Sequence, residues 1–229
     1  MKYFNPELIV FDLDGTLVDS VPDIAIAINK MLVALQQATY TEEQVRQWVG
    51  NGAEMLITRA LTGILEPTEK PHNLTQARAL FNQFYSANVC DKSELYLGVI
   101  EGLGLLKAAG VKLACVTNKP EKFTLPLLEH LGLKDYFQFI ASGDSYPVMK
   151  PDPLPLLAAA QFFLVDGAQC LMVGDSINDI QAGKRAGFKT AAVSYGYAGK
   201  YTLDELEADY TLDRIDQIVA LFETSVIAY

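Results

Sequence analysis

Short apolar runs alternate with amphipathic segments over most of this chain. The first run, 8–11, leads directly into Asp12 and Asp14, and similar runs recur after residue 110. Strands separated by helices are typical of a doubly wound parallel sheet, because parallel neighbours need a crossover connection. Later strands are predicted at 112–116, 137–141, 171–173 and 190–193, and a final amphipathic helix at Ile215, Ile218, Val219 and Phe222. We therefore predict an α/β fold with a Rossmann-like core.

Between the first strand and about residue 91 the spacing is helical throughout. Two of the four helices predicted there begin with the pattern of a capping box, Ser20-x-x-Asp23 and Thr41-x-x-Gln44. An uninterrupted block of helices between the first two strands predicts a helical cap inserted into the fold, standing over the sheet. The predicted division is a catalytic core of residues 1–18 and 92–229 and a helical cap of residues 19–91.

Composition and charge restrict the classes of partner. The 18 Lys and Arg and 28 Asp and Glu give a net charge of −10, which argues against nucleic acid because that partner needs a basic surface. The longest nearly apolar stretch, 154–165, is too short to cross a membrane, and the first residues lack the apolar region of a signal peptide. We expect a cytoplasmic monomer or homodimer whose anionic substrate is attracted by local cations and a metal ion.

Cysteine and histidine contribute little to the candidate chemistry. The three cysteines have no metal-ligand spacing, and Cys115 and Cys170 fall in or beside predicted strands, as buried apolar residues do. With only two histidines, His72 and His130, neither a histidine zinc site nor a Ser-His-Asp triad is expected.

Polar residues stand where four of the predicted strands end. Asp12 and Asp14, two positions apart on an extended chain, point to the same side, and paired acids need a cation or a shared proton. In doubly wound sheets, ligands bind beyond the carboxyl ends of the strands. The residues at or just past these ends are Asp12, Asp14, Thr117, Asn118, Lys150, Asp175 and Asp179. Their convergence predicts a single active site at this edge of the sheet.

In this order, the residues resemble the four motifs of the haloacid dehalogenase superfamily. The matching segments are Asp12-x-Asp14-Gly15-Thr16, Thr117-Asn118, Lys150-Pro151 and Gly174-Asp175-x-x-Asn178-Asp179. The resemblance extends from the first strand to the last helix and includes a helical cap between the first two motifs. It implies a Mg²⁺-dependent phosphatase that works through an aspartyl-phosphate intermediate.

The resemblance also implies a role for each catalytic residue. Asp12 would be the nucleophile, and Asp14 would protonate the leaving alcohol and then take a proton from the attacking water. Thr117 and Asn118 would hold phosphoryl oxygens. Lys150 would neutralise the nucleophile and the phosphate together, since phosphoryl transfer needs fixed positive charge.

A magnesium site follows from the same resemblance. Mg²⁺ prefers oxygen ligands and keeps several of its waters. The implied ligands are the Asp12 carboxylate, the Asp14 backbone carbonyl and Asp175. Asp179 would lie behind them or act as an alternative ligand.

Three further segments resemble the bacterial phosphoglycolate phosphatase family within this superfamily. They are Val49-Gly50-Asn51-Gly52-Ala53, Thr117-Asn118-Lys119-Pro120 and Tyr195-Gly196-Tyr197. The first predicts a cap loop that reaches the substrate through Gly50, Asn51 and Gly52, with a simple turn between cap helices as the equal alternative. The implied substrate is a small anionic phosphate ester, 2-phosphoglycolate.

Two other cations are considered as substrate contacts. Lys119 and Arg59 could both face the substrate, but a solvated surface position is the favoured expectation for each. Tyr195 and Tyr197 are expected to pack or to shape the rim of the site.

Other functions stay open on the residues alone. A phosphomutase resembling β-phosphoglucomutase would use the same core residues, and sugar phosphates or nucleotides could replace the proposed substrate. A haloacid dehalogenase is disfavoured, because those enzymes need no metal and Asp14 serves phosphoryl transfer. A binding or regulatory protein on this fold is disfavoured because Asp12, Asp14 and Lys150 are all present.

Overall fold

The computed structural model, which describes residues 4–197, 199 and 201–221, contains a six-stranded parallel sheet. Its strands are β1 (Leu8–Phe11), β4 (Lys112–Val116), β5 (Phe139–Ala141), β6 (Cys170–Gly174), β7 (Lys189–Val193) and β8 (Tyr210–Leu212). The spatial order is β5-β4-β1-β6-β7-β8, so β1 lies between the two halves. The point where the strand order reverses, at which ligands bind in such sheets, therefore lies at the carboxyl end of β1.

Helices cover both faces of this sheet, and the alternation of buried residues in β1 explains why. The covering helices are α5 (Val99–Ala108), α6 (Glu121–His130), α7 (Leu154–Phe163) and α8 (Ile177–Ala186). Ile9 and Phe11 pack with α5 and α6 on one face, whereas Leu8 and Val10 pack with α7 and α8 on the other. A strand buried on both faces must be apolar at every position, as β1 is. The predicted α/β fold with a Rossmann-like core is confirmed.

Four helices between β1 and β4 have a hydrophobic core of their own. They are α1 (Val21–Ala34), α2 (Glu42–Arg46), α3 (Gly52–Thr62) and α4 (Leu74–Ala87). Met31, Trp48, Ile57 and Phe81 meet there, and Phe123 from α6 joins them from the core side. Aromatic residues on the predicted helical stripes therefore form packing contacts, as periodicity indicates.

A two-stranded antiparallel ribbon marks the point where the chain leaves and rejoins the sheet. Its strands are β2 (Val18–Asp19) and β3 (Glu94–Leu95), paired Val18 to Leu95 and Asp19 to Glu94. The boundaries predicted from the sequence, after residue 18 and before residue 92, fall at this ribbon. The division of the chain into core and cap stays a prediction.

One of the two predicted capping boxes is wrong. Thr41 and Gln44 form the expected reciprocal bonds at the start of α2. Ser20 makes no side-chain cap, because its hydroxyl donates instead to Asp14 Oδ1 at 2.5 Å. The Asp23 carboxylate accepts bonds from the returning segment: Lys92 N–H, Ser93 N–H and Ser93 Oγ–H. Long-range partners outcompete local capping at this helix start.

The last part of the chain differs from the prediction in two further ways. The short helix α9 (Leu203–Leu206) and the edge strand β8 were not predicted. The final helical segment is a 3₁₀ helix, Ile215–Leu221, and Phe222 lies outside the described residues. Within the described part of the chain, no helix is long and apolar enough to span a membrane.

Candidate active site

All the polar residues predicted to converge lie at the carboxyl edge of the sheet. Asp12 follows β1, Thr117 follows β4 and Asp175 follows β6. Because these three strands are adjacent in the order β4-β1-β6, their ends project side chains into one region. Most of these groups are buried, which requires partners for each charge.

Three carboxylates form an acidic cluster in this region. Asp12, Asp175 and Asp179 each offer an oxygen within 4.8 Å of the other two. Lys150 is the neighbouring cation, with Nζ 2.9 Å from Asp12 Oδ1 and 2.7 Å from Asp179 Oδ1. The same ammonium donates to the carbonyl of Val116 at 2.6 Å. Lys150 thus contacts two of the three buried carboxylates, and one ammonium beside three acids leaves the cluster with excess negative charge.

The titration of these acids reflects that imbalance. Burial raises the pKa of Asp12 to about 6; the Asp179 charge adds to the shift and Lys150 opposes it. Burial, followed by the charges of Asp179 and Asp12, also raises the pKa of Asp175 well above its ordinary value. A divalent cation with oxygen ligands would remove the repulsion. The donor set therefore fits Mg²⁺.

Asp175 is oriented by groups from two other parts of the chain. Its Oδ1 accepts from Thr16 Oγ–H at 3.1 Å, and its Oδ2 accepts from the Tyr197 N–H at 2.6 Å. Gly15 lies so close that an added Cβ would be 2.3 Å from Asp175 Oδ2, and its φ of +85° favours glycine. The glycine after Asp14 thus allows the first motif to lie against the fourth.

The Asp14 side chain has surroundings quite different from those of Asp12. Both its oxygens lie 3.0 Å from Lys119 Nζ, and Oδ1 also accepts from Ser20 Oγ–H. Its carboxylate is not part of the acidic cluster. Two acids two positions apart therefore have separate cations, Lys150 for Asp12 and Lys119 for Asp14, which is the arrangement that lets a pair of acids divide two roles.

Asn118 connects the site to the cap loop. Its side-chain Nδ2 donates to the carbonyls of Gly50 at 3.0 Å and Lys150 at 2.9 Å. Asn178 Nδ2 also donates to the Gly50 carbonyl, at 3.2 Å. The amide of Asn118 is thus already occupied in holding the loop, whereas Thr117 lines the open space beside Asp12.

A cavity that is partly open to solvent lies between these groups and the cap helices. Its lining combines the two catalytic acids, Thr117 to Lys119, the cap loop and apolar cap residues. These are Asp12, Asp14, Thr117, Asn118, Lys119, Pro120, Gly50, Gly52, Val49, Ala53, Ile24, Leu56, Phe81, Tyr85 and Phe123.

The cap loop reaches this cavity, but its three residues are not equivalent. Gly50 and Gly52 line it, and both have positive φ, +115° and +80°. Asn51 lines a neighbouring and more polar cavity, together with Arg59 and Asn178. The structure thus brings two of the three predicted loop residues to the site.

The favoured expectation that Lys119 and Arg59 are solvated is wrong. Lys119 is 6% exposed and Arg59 9%. Arg59 donates to the carbonyls of Trp48 and Leu65 and so clamps the cap. Lys119 contacts Asp14 and, through a 2.7 Å bond, the hydroxyl of Tyr85.

Tyr197 is a second residue whose role the sequence did not indicate. Its hydroxyl donates to Asp19 Oδ1 at 2.5 Å and accepts from the Ser20 N–H at 3.0 Å. Arg46 pairs with Asp19 and lies over the Tyr197 ring, 5.0 Å from its centroid. Since the Tyr197 N–H binds Asp175, one residue joins the acidic cluster to β2 and to the cap.

The chain belongs to the haloacid dehalogenase-like hydrolase family, whose model matches residues 6–187. It is 43% identical over 214 residues to a phosphoglycolate phosphatase of Nitrosococcus oceani, covering 93% of this chain and 95% of the relative. It is 46% identical over 193 residues to phosphoglycolate phosphatase 1 of Pseudomonas aeruginosa, covering 84% of this chain and 71% of the relative. These matches confirm the predicted superfamily and the predicted class, a phosphoric monoester hydrolase.

A solved structure matches the whole architecture. It is the crystal structure of a predicted phosphoglycolate phosphatase from Haemophilus somnus, with a TM-score of 0.87 and 37% sequence identity. The match covers 96% of this chain and 99% of that chain. The helical insertion and the sheet are thus shared with that protein.

Proposed function

We propose that this protein hydrolyses 2-phosphoglycolate to glycolate and phosphate, with Asp12 as the nucleophile. The observation that carries the proposal is the position of Asp12, which belongs to the acidic cluster and also lines the cavity beneath the cap. A substrate phosphate placed in the cavity would meet this carboxylate directly. The names of the relatives support the choice of substrate.

The proposed reaction has two displacements. The Asp12 carboxylate attacks phosphorus, the alkoxide of the ester leaves, and an aspartyl-phosphate forms on Asp12. Water then attacks that phosphorus, which releases phosphate and restores the carboxylate. Asp14 gives a proton to the leaving oxygen in the first step and takes one from the water in the second.

The other residues would hold the transferring group. Lys150 provides positive charge beside Asp12, and the Thr117 hydroxyl binds a phosphoryl oxygen, since charge spreads over these oxygens in the transition state. With both side-chain N–H groups of Asn118 donated to the Gly50 and Lys150 carbonyls, we assign this side chain to loop positioning, and its backbone N–H would be the group that binds a phosphoryl oxygen.

Mg²⁺ is the proposed cofactor. Asp12, Asp175, Asp179 and the backbone carbonyl of Asp14 would hold it, and it would supply counter-charge to the phosphate and the acids. The raised pKa values of Asp12 and Asp175 support a cation at this position.

The lining of the cavity favours a small leaving group. Apolar cap side chains, among them Leu56 and Phe81, line the same cavity as Asp12, and a hexose would place its hydroxyl groups against these apolar walls. A site that the cap closes also excludes water other than the one that reacts. The cap would therefore have to open for substrate to enter and product to leave.

Replacement of the nucleophile tests the mechanism. We expect Asp12→Asn to lower kcat for phosphoglycolate by at least about 10⁴-fold, since the amide cannot form the phosphoenzyme. Asp135→Asn, the same change at an exposed residue, is the matched control and should retain wild-type kcat. Appreciable turnover by Asp12→Asn would refute the assignment.

A substrate comparison tests the rest of the proposal. We expect kcat/KM for phosphoglycolate to exceed that for hexose phosphates and nucleotides. A preference for a hexose phosphate would contradict the substrate while sparing the mechanism, and isomerised hexose phosphate would identify a mutase. Loss of turnover with a chelator, restored by Mg²⁺, is the expected result for the cofactor.

A further inference from the structure

The environment of Lys119 is unusual for a lysine. Its side chain is 3% exposed, and Nζ contacts both oxygens of Asp14 and the hydroxyl of Tyr85 on α4. Nζ also lies 4.8 Å from the centroid of the Tyr85 ring. The ion pair with Asp14 therefore holds the ammonium of Lys119 at a fixed position in the site.

The position of this charge is equally specific. Among the described residues that line the cavity beneath the cap, Lys119 is the only cation, because Lys150 lies behind Asp12 with Asp179 and the Val116 carbonyl. The neighbouring cap walls are apolar side chains, including Ile24, Leu56 and Phe81. A second anionic group on the substrate would be strongly disfavoured against such walls without a cation.

Tyr85 adds a donor beside that cation. The hydroxyl accepts its bond from Lys119, so its own hydrogen is free for an acceptor in the cavity. Burial raises the pKa of Tyr85 to about 12, with Lys119 opposing the shift, and the hydroxyl thus keeps its proton. Lys119 and Tyr85 together resemble the pairs of donors that bind carboxylates in proteins.

We propose that Lys119 and Tyr85 form the site that recognises the carboxylate of the substrate, and so set the preference for acidic over neutral phosphate esters. The substrate carboxylate shares the Lys119 ammonium with Asp14 and accepts the Tyr85 hydroxyl. The phosphate binds at Asp12 beside Lys150, whereas the carboxylate binds at Lys119, so each charged end of the substrate has its own lysine. An ester without the carboxylate leaves Lys119 with Asp14 alone.

Because this inference rests on the proposed function, the test uses two substrates. They are 2-phosphoglycolate and 2-hydroxyethyl phosphate, in which a neutral alcohol replaces the carboxylate. In the wild type we expect kcat/KM to favour phosphoglycolate by at least about 100-fold, as a lost buried charge contact implies. In Lys119→Met we expect this ratio to fall by at least about 30-fold.

The ratio of the two kcat/KM values distinguishes recognition of the substrate carboxylate by Lys119 from positioning of Asp14 by Lys119. If Lys119 served only to hold Asp14, Lys119→Met would lower kcat/KM equally for both substrates, and the ratio would stay at the wild-type value. That result would overturn the inference. Lys122→Met, three residues further on and outside this cavity, is the matched control and should leave the ratio unchanged.

A second variant keeps the test decisive if Lys119→Met does not fold. Tyr85→Phe keeps the ring and its packing but removes the hydroxyl, and should lower the ratio by about five-fold. An unchanged ratio would count against the proposal. A wild type that hydrolyses both esters without preference refutes carboxylate recognition alone, whereas one that hydrolyses neither refutes the proposed function.

Discussion

At the scale of single residues, the separation of Asp12 from Asp14 is the main finding. The two acids lie two positions apart, yet one faces Lys150 and two other carboxylates, while the other faces Lys119 and Ser20. The sequence predicts that both point to one side of the strand, but it does not reveal which cation each meets. Contacts across 105 positions, as between Asp14 and Lys119, have no local signature.

The raised pKa of Asp12 leads to a prediction about pH. Since its folded pKa of about 6 exceeds the ordinary value of 3.8, this group stabilises the metal-free fold most below pH 4, and that contribution is lost as pH rises through 6. Protons and Mg²⁺ compete for the same carboxylate. We therefore expect Mg²⁺ to raise the Tm more at pH 7.5 than at pH 5.5.

Thermal unfolding with and without Mg²⁺ at the two pH values checks this. In Asp12→Asn, where this position cannot titrate, the rise in Tm caused by Mg²⁺ should differ less between pH 7.5 and pH 5.5 than in the wild type. An equal rise in Tm at both pH values in the wild type would contradict the prediction.

At the scale of elements, strands β1, β4, β5, β6 and β7 were predictable, whereas strand β8 and the bonds at the start of α1 were not. Strand ends converge in any doubly wound sheet, which is why the motif residues could be placed together from the sequence. Ser20 and Asp23 have the spacing of a local cap, but their partners, Asp14 and the segment at Ser93, come from outside the helix. A capping pattern gives the start of a helix more reliably than the bonds made there.

The bonds of Asp23 predict a large effect on stability. Its buried carboxylate accepts from two backbone N–H groups, those of Lys92 and Ser93, and from the Ser93 hydroxyl. Asp23→Ala leaves these donors unpaired, so we expect it to lower the free energy of unfolding by about 3 kcal/mol. Asp91→Ala, an exposed change in the same segment, should cost much less. Urea unfolding measures the free energy of unfolding of both variants. An equal decrease in Asp23→Ala and Asp91→Ala would show that the buried bonds of Asp23 add no extra stability.

At the scale of the whole molecule, the cap is held against the sheet at the Gly50 carbonyl. Asn118 and Asn178, from two different motifs, both donate to it. The sequence indicates both residues as part of motifs that resemble those of the superfamily, but not that they bind the same atom. Sequence patterns identify the elements of the site, whereas their contact across two layers depends on tertiary packing.

Loss of one of the two bonds to the Gly50 carbonyl should make the closed position of the cap less stable. We expect Asn178→Ala to raise KM for phosphoglycolate several-fold, because a less populated closed state lowers apparent affinity. Gln181→Ala, one turn further along α8, is the control and should keep the wild-type KM. Steady-state kinetics at saturating Mg²⁺ measure KM for both variants. An unchanged KM in Asn178→Ala would argue that the bond from Asn178 to the Gly50 carbonyl does not hold the cap closed.

The pairing of β2 with β3 has a consequence for how new specificities could arise. The segments that leave and re-enter the sheet are paired with each other as β2 and β3. The four helices are therefore a single insertion between the two strands of this ribbon. A different insertion could replace the four helices between β2 and β3 without changing the order of the strands in the sheet. Catalytic chemistry, which depends on the sheet, and substrate choice, which depends on the insertion, can then diversify separately.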